Sequence, residues 1–109
     1  MTNVVDSWRG RFGDEYTTRN AATPERLQAH VMMWTRILSA LSVDPPRSAV
    51  ELGCNIGINL HALRKISDLD LYGVEPNDGA RRIAVESGAL PADRKLADLG
   101  KAGCTGVAG

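Results

Sequence analysis

The chain is short of cysteine, of aromatic residues and of net charge, and each shortage narrows what it can do. It holds two cysteines in 109 residues, Cys54 and Cys104. They stand far apart, with no CxxC or Cys/His ligand spacing, so neither a disulfide framework nor a zinc site is expected. Lysine and arginine total 13 against 13 aspartates and glutamates, which leaves no electrostatic footprint for nucleic acid or an anionic membrane. No apolar run approaches the roughly 18 residues of a membrane span. The opening MTNVVDSWRGRF has no basic segment leading into an apolar stretch, and the expectation is a cytoplasmic protein. With 43% hydrophobic and 24% charged residues, the composition suits one small globular domain with a modest core.

What is present falls into three parts. Residues 1–22 are polar and aromatic-studded without a sustained period, and are expected to form an irregular or short-helical lead segment. Residues 23–90 carry the regular patterning. Residues 91–109 form a tail rich in glycine and alanine, with no stretch that reads as a strand.

Within the patterned part, Thr23 can cap a helix and Pro24 suits its first position. Leu27, Val31, Trp34, Leu38 and Leu41 then recur at helical spacing. Asp44, Pro45 and Pro46 end that helix, and SAVEL reads as a short buried strand. A second helix is expected over 58–66, a second strand in DLYGVE up to Pro76 and Asn77, and a third helix over 80–87 with Gly88 as its left-handed stop. This order predicts a right-handed βαβ unit with parallel strands.

Between the first strand and the second helix lies VELGCNIGINL. Gly53 and Gly57 at a strand-to-helix turn allow a ligand close to the backbone, and the helix start offers unpaired N–H groups to an anion. A two-glycine turn also serves plain tight packing. Glu75, closing the second strand, stands at the distance from the loop at which an acid meets ribose hydroxyls in nucleotide-binding βαβ units. Glu51, at the head of the loop, would repel the pyrophosphate of a dinucleotide. The ammonium and sulfonium of S-adenosylmethionine suit it better.

ELGCNIGINL followed by YGVEPND resembles motifs I and II of the Rossmann-like class I methyltransferases. Asn55 stands where that superfamily usually has its middle glycine. WRGRFGDEYTTRN at 8–20, together with the Cys-Asn-Ile-Gly loop, resembles the pseudaminic acid biosynthesis-associated methylases, which are S-adenosylmethionine-dependent enzymes of nonulosonic sugar pathways. Trp8, Gly10, Phe12, Gly13, Asp14, Tyr16, Arg19 and Asn20 carry the likeness, which covers about residues 8 to 90.

The resemblance implies an α/β chain with a truncated Rossmann-like methyltransferase fold, namely an N-terminal helix plus the first βαβα unit. It implies S-adenosyl-L-methionine as cofactor, with Gly53, Cys54, Asn55 and Gly57 forming the cofactor loop. Glu51 would take the amino-acid end and Glu75 the ribose, and the methyl acceptor would be a small molecule. Methyl transfer needs alignment more than a dedicated nucleophile, and no catalytic residue or metal ligand is assigned.

Several readings stay open. The lead segment either folds over the cofactor, with Tyr16 or Arg19 near the methionine carboxylate or the acceptor, or is an arm docked by Trp8 and Phe12. The chain as a whole is alternatively an NAD-binding oxidoreductase module, or a non-catalytic binding fragment completed by a partner chain. Glu51 and the interruption of GxGxxG by Asn55 disfavour the NAD module. His30 and His61 read as ordinary helix residues, and Met32 and Met33 as packing. Asp98 is a candidate adenine-side residue. Two parallel strands bury little, so weak independent folding is expected, and the tail reads as a truncated or out-of-frame terminus.

Overall fold

The structure is a computed structural model, and it describes residues 4–19 and 21–87. Its elements run α1 (Val4–Arg9), α2 (Arg11–Arg19), α3 (Pro24–Ala40), β1 (Ser48–Leu52), α4 (Ile58–Ile66), β2 (Asp70–Val74) and α5 (Asp78–Glu86). Local chemistry sets most of these boundaries. Thr23 caps α3, its Oγ1 accepting the N–H of Arg26 at 3.1 Å, with Pro24 directly behind it. Asn77 caps α5, its Oδ1 accepting the N–H of Ala80 at 2.9 Å. Both satisfy a helix-start donor that would otherwise lack a partner.

β1 and β2 pair in parallel, from Ser48 opposite Asp70 to Leu52 opposite Val74. The chain is therefore mixed α/β with a two-stranded parallel sheet among the described residues. Alternation along the strands puts Ala49, Glu51, Leu71 and Gly73 on one face. Leu60 and Leu63 of α4, Leu71, Ala84 of α5 and Cys54 form the core there, and Trp34 and Leu38 of α3 with Ala49 and Leu69 pack against it.

The other face corrects the expectation of a buried first strand. Val50 is 50% and Leu52 62% exposed. SAVEL is a half-buried strand whose apolar outer positions look out from the sheet.

The lead segment takes the short-helical form, as α1 and α2. Trp8 meets Phe12 edge-on at 4.9 Å and Tyr16 at 5.1 Å between ring centroids, a geometry that aromatic quadrupoles favour. Gly13 makes the junction of α1 and α2 possible. A Cβ there would lie 1.8 Å from the Trp8 carbonyl oxygen and 2.9 Å from Asn77 Nδ2. Asn20, Gly88, Asp98, Cys104 and the tail lie outside the described residues. No described helix is long and apolar enough to cross a membrane.

Candidate functional site

The loop between β1 and α4 turns through three left-handed residues, Gly53 at φ 74°, Asn55 at 52° and Gly57 at 80°. Glycine takes this conformation freely and asparagine is among the few side chains that tolerate it. Asn55 thus holds a left-handed backbone that glycine would also adopt, and its side chain adds a contact. Its Nδ2 donates to Thr17 Oγ1 at 3.1 Å, tying α2 to the loop. Gly53 needs its glycine for the backbone rather than for packing. A Cβ there would meet nothing within 4 Å, so its φ demands glycine while the space above it stays open.

The N–H groups of Gly53 and Cys54 donate to the Val74 carbonyl at 2.7 and 3.1 Å, holding the loop over the end of β2. Glu75 completes this support. One carboxylate oxygen accepts the Asn55 N–H at 2.6 Å and the other the Asn77 N–H at 2.8 Å. Only 3% of Glu75 is exposed. Asn77 extends the clasp, its Nδ2 donating to the Trp8 carbonyl at 2.9 Å and to Asp14 Oδ1 at 2.8 Å. A residue that the sequence marks only as a turn therefore joins β2, α5 and the lead helices.

Glu51 sits at the end of β1 in a different state. Asn59 Nδ2 donates to its Oε2 at 2.7 Å, while its Oε1 is buried without a hydrogen-bond partner among the described residues. Burial pushes its pKa up. The Asn59 bond opposes that shift, as does His30 when its ring is protonated, and the Glu75 charge adds to it. An orphaned buried acceptor carries a desolvation penalty that a donor from a ligand would relieve.

Two clefts meet over the loop. The larger, of about 470 Å³, is walled by Val4, Val5, Trp8, Leu52 and Pro76 and reaches Glu75. The smaller, of about 290 Å³, is polar and lined by residues including Arg26, His30, Glu51 and Asn59. Tyr16, Gly53 and Asn55 line both. Of the residues expected from sequence, Glu51, Gly53, Cys54, Asn55, Glu75 and Tyr16 border one or both clefts, and Gly57 shapes the loop by starting α4. Arg19 borders neither and lies with Asp14, Glu15 and Thr18 on another face of α2. Cys54 contributes packing, and burial pushes its thiol pKa up to about 12, which disfavours the reactive thiolate.

His30 departs from its reading as an ordinary helix residue. Its Nδ1 lies 2.7 Å from Asn59 Oδ1, and its ring lines the polar cleft. Trp34 Nε1–H donates to the same Asn59 oxygen at 2.9 Å. Asn59 thus gathers Glu51, His30 and Trp34 around one amide. The sequence signal for this group was faint. His30 and Trp34 lie four residues apart on one helix, the spacing that places side chains on one face, but nothing local points to Asn59. Among the described residues no group of three or more histidine, cysteine, aspartate or glutamate side chains could hold a metal ion. No protein-family model, curated protein or solved structure matches the chain.

Proposed function

We propose that the two clefts are one binding site for S-adenosyl-L-methionine, and that the chain is the cofactor-binding part of a Rossmann-like methyltransferase with a small-molecule acceptor. The orphaned Oε1 of Glu51 carries this reading. A buried carboxylate oxygen at the head of a glycine loop asks for a cationic donor, and the ligand's ammonium is one. A dinucleotide would bring pyrophosphate to the same place, where Glu51 repels it.

The remaining surfaces match the rest of the ligand. Arg26, at the polar cleft, offers a guanidinium to the carboxylate of an amino-acid end. The apolar cleft, with Trp8, Pro76 and Leu52 as walls and Glu75 at its edge, suits a nucleoside. Its volume falls within the range of about 300 to 1,000 Å³ common for small-molecule pockets. When bound, S-adenosylmethionine supplies a methyl group already activated on a sulfonium. The chain's own work is to fix the ligand's two ends, with Gly53 leaving room between them and Tyr16 standing beside both halves. Its balanced charge favours a small acceptor over nucleic acid, and the motif resemblance suggests a sugar of a nonulosonic acid pathway.

Titration calorimetry with S-adenosylhomocysteine and with NAD tests the reading. Saturable binding of S-adenosylhomocysteine without binding of NAD is expected. Binding of NAD alone would replace the methyltransferase reading with the oxidoreductase one.

A further inference from the structure

Asn59 fixes more than its own bonds. Trp34 Nε1 can only donate a hydrogen bond, so the Asn59 atom it meets at 2.9 Å is the carbonyl oxygen. That oxygen also lies 2.7 Å from His30 Nδ1. Two atoms that both accept cannot share such a contact, and so His30 Nδ1 carries the hydrogen. In the neutral ring Nε2 is then the acceptor. The other end of the same amide donates to Glu51 Oε2. One asparagine therefore sets both the rotamer of the carboxylate and the tautomer of the imidazole in the cleft that both line.

We propose that His30 is a specificity-determining residue of the polar cleft. Held by Asn59 as the Nδ1–H tautomer, it presents Nε2 together with Glu51 Oε1 as a paired acceptor for the ammonium of an amino-acid end. The ligand assignment rests on the S-adenosylmethionine reading, whereas the tautomer does not. Asn59 is a positioning residue, acting through His30 and Glu51. An acceptor-only pair selects a primary ammonium, which has three donors to distribute, over a ligand that lacks one. The cleft thereby distinguishes a complete amino-acid end from a bare nucleoside thioether.

The test has two arms, both on the full chain. In the first, nitrogen-15 NMR of the histidine-labelled chain, at a pH where the ring is neutral, reads the tautomer directly. Nδ1–H at His30 is expected, and Nε2–H overturns the proposal. In the second, binding of S-adenosylhomocysteine is compared with that of 5′-methylthioadenosine, which keeps the nucleoside and thioether but lacks the amino-acid end.

His30→Phe is expected to weaken S-adenosylhomocysteine about tenfold, the loss of one hydrogen bond to a charged group, and to leave 5′-methylthioadenosine unchanged. His30→Gln, which restores an acceptor near the position of Nε2, should return affinity to within about threefold of the parent, less than half the logarithmic loss of that bond. Equal loss for both ligands, or no loss for either, overturns the role of His30. Failure of the unaltered chain to bind S-adenosylhomocysteine overturns the cofactor reading and the ligand assigned to His30 with it. The NMR arm shows separately whether the Asn59 latch exists.

Discussion

The ends of the two strands each carry a glutamate, and the two carboxylates live in opposite states. Glu75, after β2, spends both oxygens on backbone N–H groups at 2.6 and 2.8 Å. Glu51, in β1, has one oxygen held by Asn59 at 2.7 Å and the other buried with no partner among the described residues. Equal residue types at matching strand ends thus do different work. Glu75 holds the loop in place, and Glu51 keeps one carboxylate oxygen unengaged among the described residues. Satisfaction of hydrogen bonds separates the two roles more sharply than burial does.

The largest expected effect lies on the β2 side and does not involve a carboxylate. Gly13→Ala puts a methyl group into the Trp8 carbonyl and against Asn77 Nδ2. Backbone cannot yield as a side chain would, and a loss of about 4 kcal/mol is expected, at the upper end for overpacking. Urea unfolding followed by circular dichroism measures it. A loss below about 1 kcal/mol, the level of an ordinary surface change, would show that the clasp around Asn77 is looser than its distances imply.

Glu75→Gln comes next. It turns an NH₂ toward one of two backbone N–H groups and removes the charge from the other bond, and a destabilisation of about 3 kcal/mol is expected. The same change at Glu51 should act in the opposite sense on stability. The folded-state pKa of Glu51 is raised, so the folded chain keeps that proton to higher pH than the unfolded chain. The contribution is present below the unfolded value and is lost as pH rises through the folded one. Glu51→Gln should therefore flatten the pH dependence of stability in that window and cost no stability at neutral pH. Its penalty falls on binding, with S-adenosylhomocysteine expected to weaken by about ten- to hundredfold, the range for a charge-assisted bond. Loss of stability from Glu51→Gln equal to that from Glu75→Gln would erase the contrast between the two.

Asn55→Gly is the smallest change. Glycine accepts the left-handed backbone, so only the bond to Thr17 is lost, worth about 1 kcal/mol. Hydrogen exchange should show faster opening of α2 with α4 unaffected. Equal acceleration in both helices would mean that Asn55 supports the loop itself.

Much of this architecture was legible in the sequence because its causes are local. Thr23-Pro24, Pro45-Pro46 and Pro76-Asn77 mark boundaries through chemistry confined to a few residues, and the bounds of α4 fall where the spacing placed them. The glycine loop and Glu51 were visible for the same reason. The lead helices were less so, since Gly10, Gly13 and several charged residues obscure the regular spacing of Trp8, Phe12 and Tyr16. The contacts made by Asn77 and Asn59 were not legible. Asn77 reaches Trp8 across 69 positions and Asn59 reaches His30 across 29, and no local rule connects residues so far apart. The half-exposed state of β1 depends on what packs against it, which a strand's own five residues do not record.

One titration tests the central claim most directly. Carbon-13 NMR of the Glu51 side-chain carboxyl, followed across pH with and without S-adenosylhomocysteine, reports both its burial and its partner. The account predicts titration above the ordinary glutamate range in the free chain and a downward move on binding, because an ammonium beside Oε1 favours the charged form. By linkage, affinity for the ligand then rises as pH increases through the free-chain value. Binding of the ligand with no change in the titration of Glu51 would contradict the account.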